Sequence, residues 1–211
     1  MMLEAREISF GYDPNHLILD RWSARFPSGH MTAITGPSGR GKSTLLYVMG
    51  LMLNPTSGTV MLNGNAASSL RDAKKSQLRA ENFGFVFQDA ALDPTRTVLD
   101  NVTEVALYRG QKREDLQGRA LELLKQFGVR LPPDRKPGQV SGGQAQRIAL
   151  CRALLTVPQI VLADEPTGNL DPQSATLVTN ALRDAADGGA AVVIVTHSRE
   201  VAAACDSEIR L

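Results

Sequence analysis

Apolar and polar residues alternate imperfectly over 3–10, L-E-A-R-E-I-S-F. Over 18–26, positions two apart hold Ile18, Trp22, Ala24 and Phe26, with only Asp20 out of step. Period-two alternation marks a half-buried strand, so two strands are predicted at the start of the chain. The run 30–35, H-M-T-A-I-T, is short, mostly apolar and partly β-branched, as suits a buried strand, and T-L-L-Y-V-M at 44–49 can start a helix soon after it. A turn cluster at 55–58 leads into T-V-M-L-N-G at 59–64, a short strand closed by Asn-Gly. With the first two strands it predicts a small antiparallel sheet. Residues 69–81 are polar, basic and helix-compatible, the signature of a solvated helix face. F-G-F-V-F-Q at 83–88 is an apolar strand ending in a glutamine.

From 89 to 157 strand-like runs stop. Apolar residues fall at helical spacing over 98–107 and 119–127, the second placing Leu121, Leu124 and Phe127 on one face. Pro132, Pro133, Pro137 and Gly138 make a helix-free connection to V-S-G-G-Q-A-Q-R at 140–147, where a helical run over 144–155 begins. Beyond Pro158 the chain returns to strand: Q-I-V-L-A-D-E-P at 159–166 sets four consecutive apolar residues before two acids, a strand buried on both faces. A turn, G-N-L-D-P at 168–172, precedes a helix from 173 to about 186 that stops at Gly188-Gly189, and A-A-V-V-I-V-T-H at 190–197 is a further buried strand. Buried strands alternating with helices predict an α/β fold with ligands at the carboxyl edge of its sheet. The expected organisation is one domain over 1–211: a core from 1–88 and 158–211, and a helical insertion over 89–157.

Composition narrows the partners. A chain of 211 residues that is 43% hydrophobic and 21% charged has enough apolar residues for a full core. A net charge of +1 gives no electrostatic case for nucleic acid, and none is expected as a partner. Cys151 and Cys205 are far apart and form neither a metal-ligand spacing nor a disulfide framework, so both are expected to be reduced thiols in a cytosolic protein. Glu4, Arg6 and Glu7 interrupt the start of the chain, which lacks the apolar core of a signal peptide. The longest apolar run, 45–53, is broken by Gly50 and too short to cross a bilayer, so a membrane role must go through a partner.

Candidate chemistry centres on I-T-G-P-S-G-R-G-K-S-T-L-L at 34–46. Gly36, any four residues, Gly41, Lys42 and Ser43 fit a phosphate-binding loop between strand and helix. The backbone of Gly36, Pro37, Ser38, Gly39, Arg40 and Gly41 can turn its N–H groups on phosphate, and Thr44 follows at the helix start. Lys42 supplies a mobile charge for the β- and γ-phosphates, and the Ser43 hydroxyl is small enough to ligate Mg²⁺. At the end of the acidic strand, Asp164 would hold Mg²⁺ through water and Glu165 would polarise an attacking water. Asp171 brings another carboxylate close, and His197, at the end of a central strand, can contact the γ-phosphate. Tyr12 suits either half-buried packing at a strand end or stacking on a nucleobase. Gln88 is either an ordinary loop glutamine or an amide that ligates Mg²⁺ or orients water. Ser141, Gly142, Gly143 and Gln144 are either a helix cap or a second anion site. One active site rarely needs two such sites, and a dimer with each phosphate loop facing the other subunit's serine-glycine helix start uses both.

Six stretches in order, G-P-S-G-R-G-K-S-T (Walker A), F-V-F-Q (Q-loop), V-S-G-G-Q (signature), I-V-L-A-D-E-P-T (Walker B with its glutamate), G-N-L-D (D-loop) and V-T-H-S (switch histidine), resemble the nucleotide-binding subunit of an ABC transporter over nearly the whole chain. The resemblance implies a P-loop NTPase of the ABC ATPase type, with a RecA-like core, a small antiparallel β subdomain and an inserted α-helical subdomain. It implies ATP and Mg²⁺ as ligands, Tyr12 as the adenine-stacking residue, Gln88 as the link between the γ-phosphate and the membrane partner, and Ser141–Gln144 completing the site across the dimer. The implied partners are a second copy or a homologous ATPase subunit, and a transmembrane permease subunit holding the chain on the inner face of the cell membrane. L-R-A-E-N-F-G-F-V-F-Q and P-T-R-T-V-L-D-N-V are most similar to exporters and extractors of the lipoprotein-releasing, macrolide-efflux and cell-division type. An importer ATPase subunit, or a soluble ATPase of DNA repair or translation, is the alternative; long coiled-coil insertions and tandem cassettes, which mark the soluble classes, are absent. Three departures stand out: Arg40 at a loop position usually filled by a small residue, Val140 for leucine with Ala145 for glutamine or glutamate, and an end at Leu211, soon after the switch histidine, with which no regulatory domain is expected.

Overall fold

In a computed structural model, which describes residues 1–13, 16–132 and 134–211, the chain runs through β1 (Leu3–Phe10), β2 (Leu19–Phe26), β3 (Met31–Thr35), α1 (Lys42–Met49), β4 (Ser57–Leu62), β5 (Asn65–Ala66), α2 (Asp72–Asn82) and β6 (Phe83–Val86). Four helices follow, α3 (Val98–Thr103), α4 (Val105–Tyr108), α5 (Arg113–Gln126) and α6 (Gly142–Leu154). The last part is β7 (Ile160–Asp164), α7 (Pro172–Asp187), β8 (Ala191–Val195), α8 (Arg199–Ala203) and β9 (Ser207–Arg210). The strands form an antiparallel sheet ordered β2-β1-β4-β5 and a parallel sheet ordered β6-β7-β8-β3-β9.

Alternation along the parallel strands divides the core in two. Ile160, Leu162, Ala191, Val193 and Val195 face α1 and the antiparallel sheet, while Val161, Ala163, Val192 and Ile194 face α6 and α7. Every residue of β7 and β8 is buried, as a continuous apolar run in a doubly covered sheet requires.

Four local expectations are corrected. In β2, Trp22 pairs with Ile8 but Leu19 pairs with Phe10, so β2 carries one residue more than β1 between those pairs, and Arg21 adopts φ 46. This bulge turns Leu19 inward and Asp20 outward, which ends the alternation expected from Ile18. The helix expected over 98–107 breaks at Glu104, where the Thr103 hydroxyl donates back to the Leu99 carbonyl at 2.8 Å, a bond that bends helices. On α5 the buried face is Ala120, Leu123 and Leu124 with Phe127 just beyond, and Leu121 is exposed. Spacings of three and four lead from Ala120 to that set, and Leu121 lies about 100° away. β9 was not anticipated: its four residues carry one apolar side chain, Ile209, too short a pattern to announce a strand. Pro133, placed in the helix-free connection by the sequence, lies outside the described residues.

Glu4 on β1 is almost fully covered, with Arg6 Nη2 and Arg25 Nε each 2.8 Å from one of its oxygens. The hydrogen bonds from Arg6 and then Arg25 outweigh desolvation and hold its pKa at about 2, below its ordinary 4.5. A depressed carboxylate stabilises the fold above its unfolded pKa and ceases to do so as pH falls through its folded value. Glu4 therefore contributes fully above about pH 4.5 and loses that contribution towards pH 2, and Glu4→Gln should flatten this part of the acid unfolding curve followed by circular dichroism.

α6 lies directly on β6: a Cβ on Gly84 would overlap the Ala153 carbonyl oxygen and stand 2.9 Å from Pro158 Cγ. Gly84→Ala should cost about 1–3 kcal/mol in urea unfolding, since the obstacle is backbone.

Candidate functional site

Parallel pairing places the ends of four strands on one edge. Val195 stands opposite Ile34 on one side and Asp164 on the other, and Val86 stands opposite Ala163. The chain leaving β3 enters the loop 36–41, where Gly36, Gly39 and Gly41 take φ 141, 78 and 83. Pro37, Ser38, Gly39 and Arg40 are exposed. Gly41 caps α1 without a side-chain hydrogen bond, so the first N–H groups of the helix remain for a ligand. Lys42 is buried, and its Nζ donates to the carbonyls of Gly36 at 2.9 Å and Pro37 at 2.8 Å. The loop is thus wrapped around its own ammonium group.

Asp164 ends β7 only 1% exposed, and its Oδ1 is buried with no hydrogen-bond partner among the described residues. Burial pushes its pKa up; the Ser43 hydroxyl works against that, the Glu165 charge adds to it, and Tyr47 and Lys42 oppose it. Tyr47 Oη makes a long contact, 3.5 Å, to Oδ2. Glu165 follows at φ 45, its N–H donating to the Val195 carbonyl at 2.9 Å. His197 Nδ1 lies 2.8 Å from Glu165 Oε1, and the Thr196 hydroxyl and His197 N–H reach Oε2 at 3.4 Å. The glutamate side chain is 14% exposed and the imidazole 73%.

The remaining expected residues are placed around this cluster. Tyr12 is exposed, not half-buried, with its ring edge-on to Phe10 at 5.0 Å, so one face stays open for stacking. Gln88 stands in an exposed turn after β6. Ser141 caps α6 reciprocally with Gln144: its Oγ accepts from the Gln144 N–H at 3.2 Å, and Gln144 Oε1 accepts from the Ser141 N–H at 2.9 Å. Among the described residues no hydrogen bond joins 141–144 to the loop 36–44 of the same chain. Asp171 caps α7, accepting from Ser174 N at 3.0 Å and Oγ at 2.6 Å, and these bonds lower its pKa.

Sequence reasoning missed Tyr47, whose position four residues after Ser43 on α1 puts both on one helix face. It also missed Gln146, Arg147 and Arg152 of α6, which bond the Phe87 carbonyl, the Ser174 hydroxyl, and the Ala90 and Ala91 carbonyls. Beside the Gln88 turn opens a groove of about 850 Å³, floored by Phe83, Phe85 and Phe87 and walled by Leu92, Val105 and Tyr108.

A phosphate loop on a parallel sheet, with two acids on the neighbouring strand and a helical insertion opening on S-G-G-Q, defines a P-loop ATPase of the cassette class. Residues 19–168 match the family model described as ABC transporter, and the chain belongs to that family as an ATP-binding, ATP-hydrolysing subunit. It is 43% identical over 213 residues to the lipoprotein-releasing system ATP-binding protein LolD of Bordetella avium strain 197N, covering 99% of this chain and 93% of the relative. To LolD 2 of Rhodopseudomonas palustris it is 40% identical over 195 residues, covering 92% and 84%. Among solved structures it is similar to the dimeric bacterial ABC transporter cassette MJ0796, and to that cassette in a post-hydrolysis state with ADP and Pi. Each is 33% identical with a TM-score of 0.91, over 99% of this chain and 94% of the other.

A Cβ on Gly36 would stand 2.5 Å from the Leu211 carbonyl oxygen, at a φ that side chains resist. Gly36→Ala should weaken ATP binding at least about tenfold in a fluorescent-nucleotide titration, because the loop cannot keep its shape.

Proposed function

We propose that this chain is the ATPase subunit of a lipoprotein-releasing transporter, and that two copies, or one copy and a homologous subunit, close head to tail around two ATP molecules. The LolD relatives support the substrate class and the dimeric cassette supports the assembly. Within the chain, the carrying observation is the convergence of Lys42, Asp164 and Glu165 on one sheet edge, while Ser141–Gln144 make no bond to it. The cap on Ser141 satisfies the Gln144 N–H and leaves those of Gly142 and Gly143 without a partner among the described residues, at the start of a thirteen-residue helix. That start suits phosphate oxygens held by the other subunit.

ATP lies on the loop 36–44, with Tyr12 against the adenine and Lys42 turned from its two carbonyls to the β- and γ-phosphates. The unpartnered Oδ1 of Asp164, the Ser43 hydroxyl and the Gln88 amide oxygen are hard oxygen donors that fit Mg²⁺, Asp164 through water. Among the described residues no group of three His, Cys, Asp or Glu could hold a metal alone, so the nucleotide completes the shell. When bound, the ion offsets charge between the β- and γ-phosphates. Glu165 accepts a proton from the attacking water once His197 leaves its Oε1 for the γ-phosphate. Lys42 and the partner subunit's Ser141–Gln144 stabilise the transferring phosphoryl group. Asp171 orders the turn between the two sites.

The groove beside Gln88 takes a cytoplasmic segment of the permease, because Phe87 and Leu92, flanking the glutamine, form its floor and wall. Among the described residues no helix is long and apolar enough to cross a membrane. The permease contact would hold the chain peripherally on the inner face of the membrane.

Glu165→Gln should lower turnover about a hundredfold or more while ATP still binds. In sedimentation the variant should form an ATP-dependent dimer. Hydrolysis at the original rate would remove Glu165 from the role given to it.

A further inference from the structure

The loop that carries Gln88 is held in a shape its own residues resist. Ala90 and Ala91 are both left-handed, at φ 60 and 47. The Ala91 N–H donates to the Asp89 carbonyl at 2.7 Å, closing a tight turn with Ala90 at its centre. A three-residue turn with positive φ at its centre is a strained form, and alanine has no polar side chain to compensate.

The restraint comes from α6. Gln146 Nε2 donates to the Phe87 carbonyl at 3.0 Å, Arg152 Nη2 to that of Ala90 at 2.9 Å, and Arg152 Nη1 to that of Ala91 at 2.8 Å. The three bonds bracket Gln88, one before it and two after. Gln146 is buried and Arg152 half-buried, and burial around the Arg152 guanidinium lowers its pKa. The helix that makes them begins at Ser141. Its Arg147 also donates to Ser174 Oγ at 2.6 Å, and that hydroxyl donates to Asp171.

We propose that Gln146 and Arg152 are positioning residues that clamp the strained 87–91 turn, so that α6 carries the position of the Ser141 helix start directly to Gln88. The proposal rests on the reading of Gln88 as a site residue. Without the clamp the alanines relax out of the left-handed region, Gln88 moves with them, and turnover falls while the phosphate loop still binds nucleotide. Glycine at 90 and 91 removes the reason to relax.

The test is a double-mutant cycle on the full chain, reading kcat, KM for ATP, affinity for a fluorescent ADP analogue and melting temperature. Arg152→Lys keeps the charge and loses the fork; it is made in the native loop and in the loop carrying Ala90→Gly with Ala91→Gly. Arg152→Lys should lower kcat about tenfold in the native loop and less than about threefold in the glycine loop, with ADP affinity held within about twofold. Equal loss in the two loops, or no loss in either, overturns the proposal. Gln88→Ala separates the premise: at unchanged turnover it ends both the role of Gln88 and this proposal. Impaired Gln88→Ala beside unimpaired Arg152→Lys ends this proposal alone. Should Arg152→Lys melt below the assay temperature, Gln146→Met goes through the same cycle with the same two outcomes.

Discussion

The site depends on the parallel pairing of β8 with strands on both of its sides. Val195 faces Ile34 across one ladder and Asp164 across the other. The chain then continues that registration past the strands, with Thr196 N–H donating to the Ile34 carbonyl at 3.1 Å and Glu165 N–H to the Val195 carbonyl at 2.9 Å. One residue level thus fixes the phosphate loop, the acidic pair and the histidine together. A slip of one residue would exchange the faces of β8, and because both faces meet packed core the slip has no soft direction. The core is therefore what gives the candidate site at this edge its precision.

The helix α6 is the second fixed body, and its composition shows two tasks. Ile148, Ala149, Leu150, Cys151 and Ala153 pack it into the core. Desolvation pushes the Cys151 thiol up to about 12, so that group fills space and carries no chemistry. Among them stand Gln146, buried, and Arg152, half-buried, polar groups whose loss of water is costly unless each finds a partner. They find backbone carbonyls of the loop at 87–91, which regular structure leaves without strand or helix bonds. Polar burial on this helix is the physical form of a connection between helical segment and sheet edge.

What could be read from the chain beforehand follows from how much of the physics is local. The loop 36–44 was legible because glycine, lysine and serine at that spacing have few other uses, and β7 and β8 because a run buried on both faces needs no partner to be recognised. Other features depended on tertiary partners. The outward turn of Asp20 needs the β1 register, and the exposure of Leu121 follows from which face of α5 meets α3 and α6. β9 exists because the edge of β3 is open to it. The sequence leaves a cap on Ser141 and an anion site as alternatives, and the geometry makes them compatible: the cap uses the Gln144 N–H and spares the two before it. Tyr47 was within reach through its spacing from Ser43; Gln146 and Arg152 were not, because nothing in their own stretch names the carbonyls they hold.

The resting bonds of the site rank how readily each group can be recruited. Lys42 has two carbonyl partners in its own loop, and hydrogen bonds to a charged group are each worth about 1.5–3 kcal/mol. A phosphate in the proposed site would gain only the difference on replacing them, and the two resting bonds keep the loop from collapsing around an unpaired charge. Glu165 is held by an imidazole that is itself 73% exposed, so water can replace the histidine when this contact opens. Asp164 Oδ1 differs from both. Among the described residues it is buried without a hydrogen-bond partner of good geometry, a condition that costs about 1–3 kcal/mol, and a ligand completing it recovers part of that cost. The strongest local incentive for ligand binding thus lies at the acidic strand end and not at the lysine. Proposed metal binding there completes an existing deficit, while the phosphate contacts of Lys42 exchange one set of satisfied bonds for another.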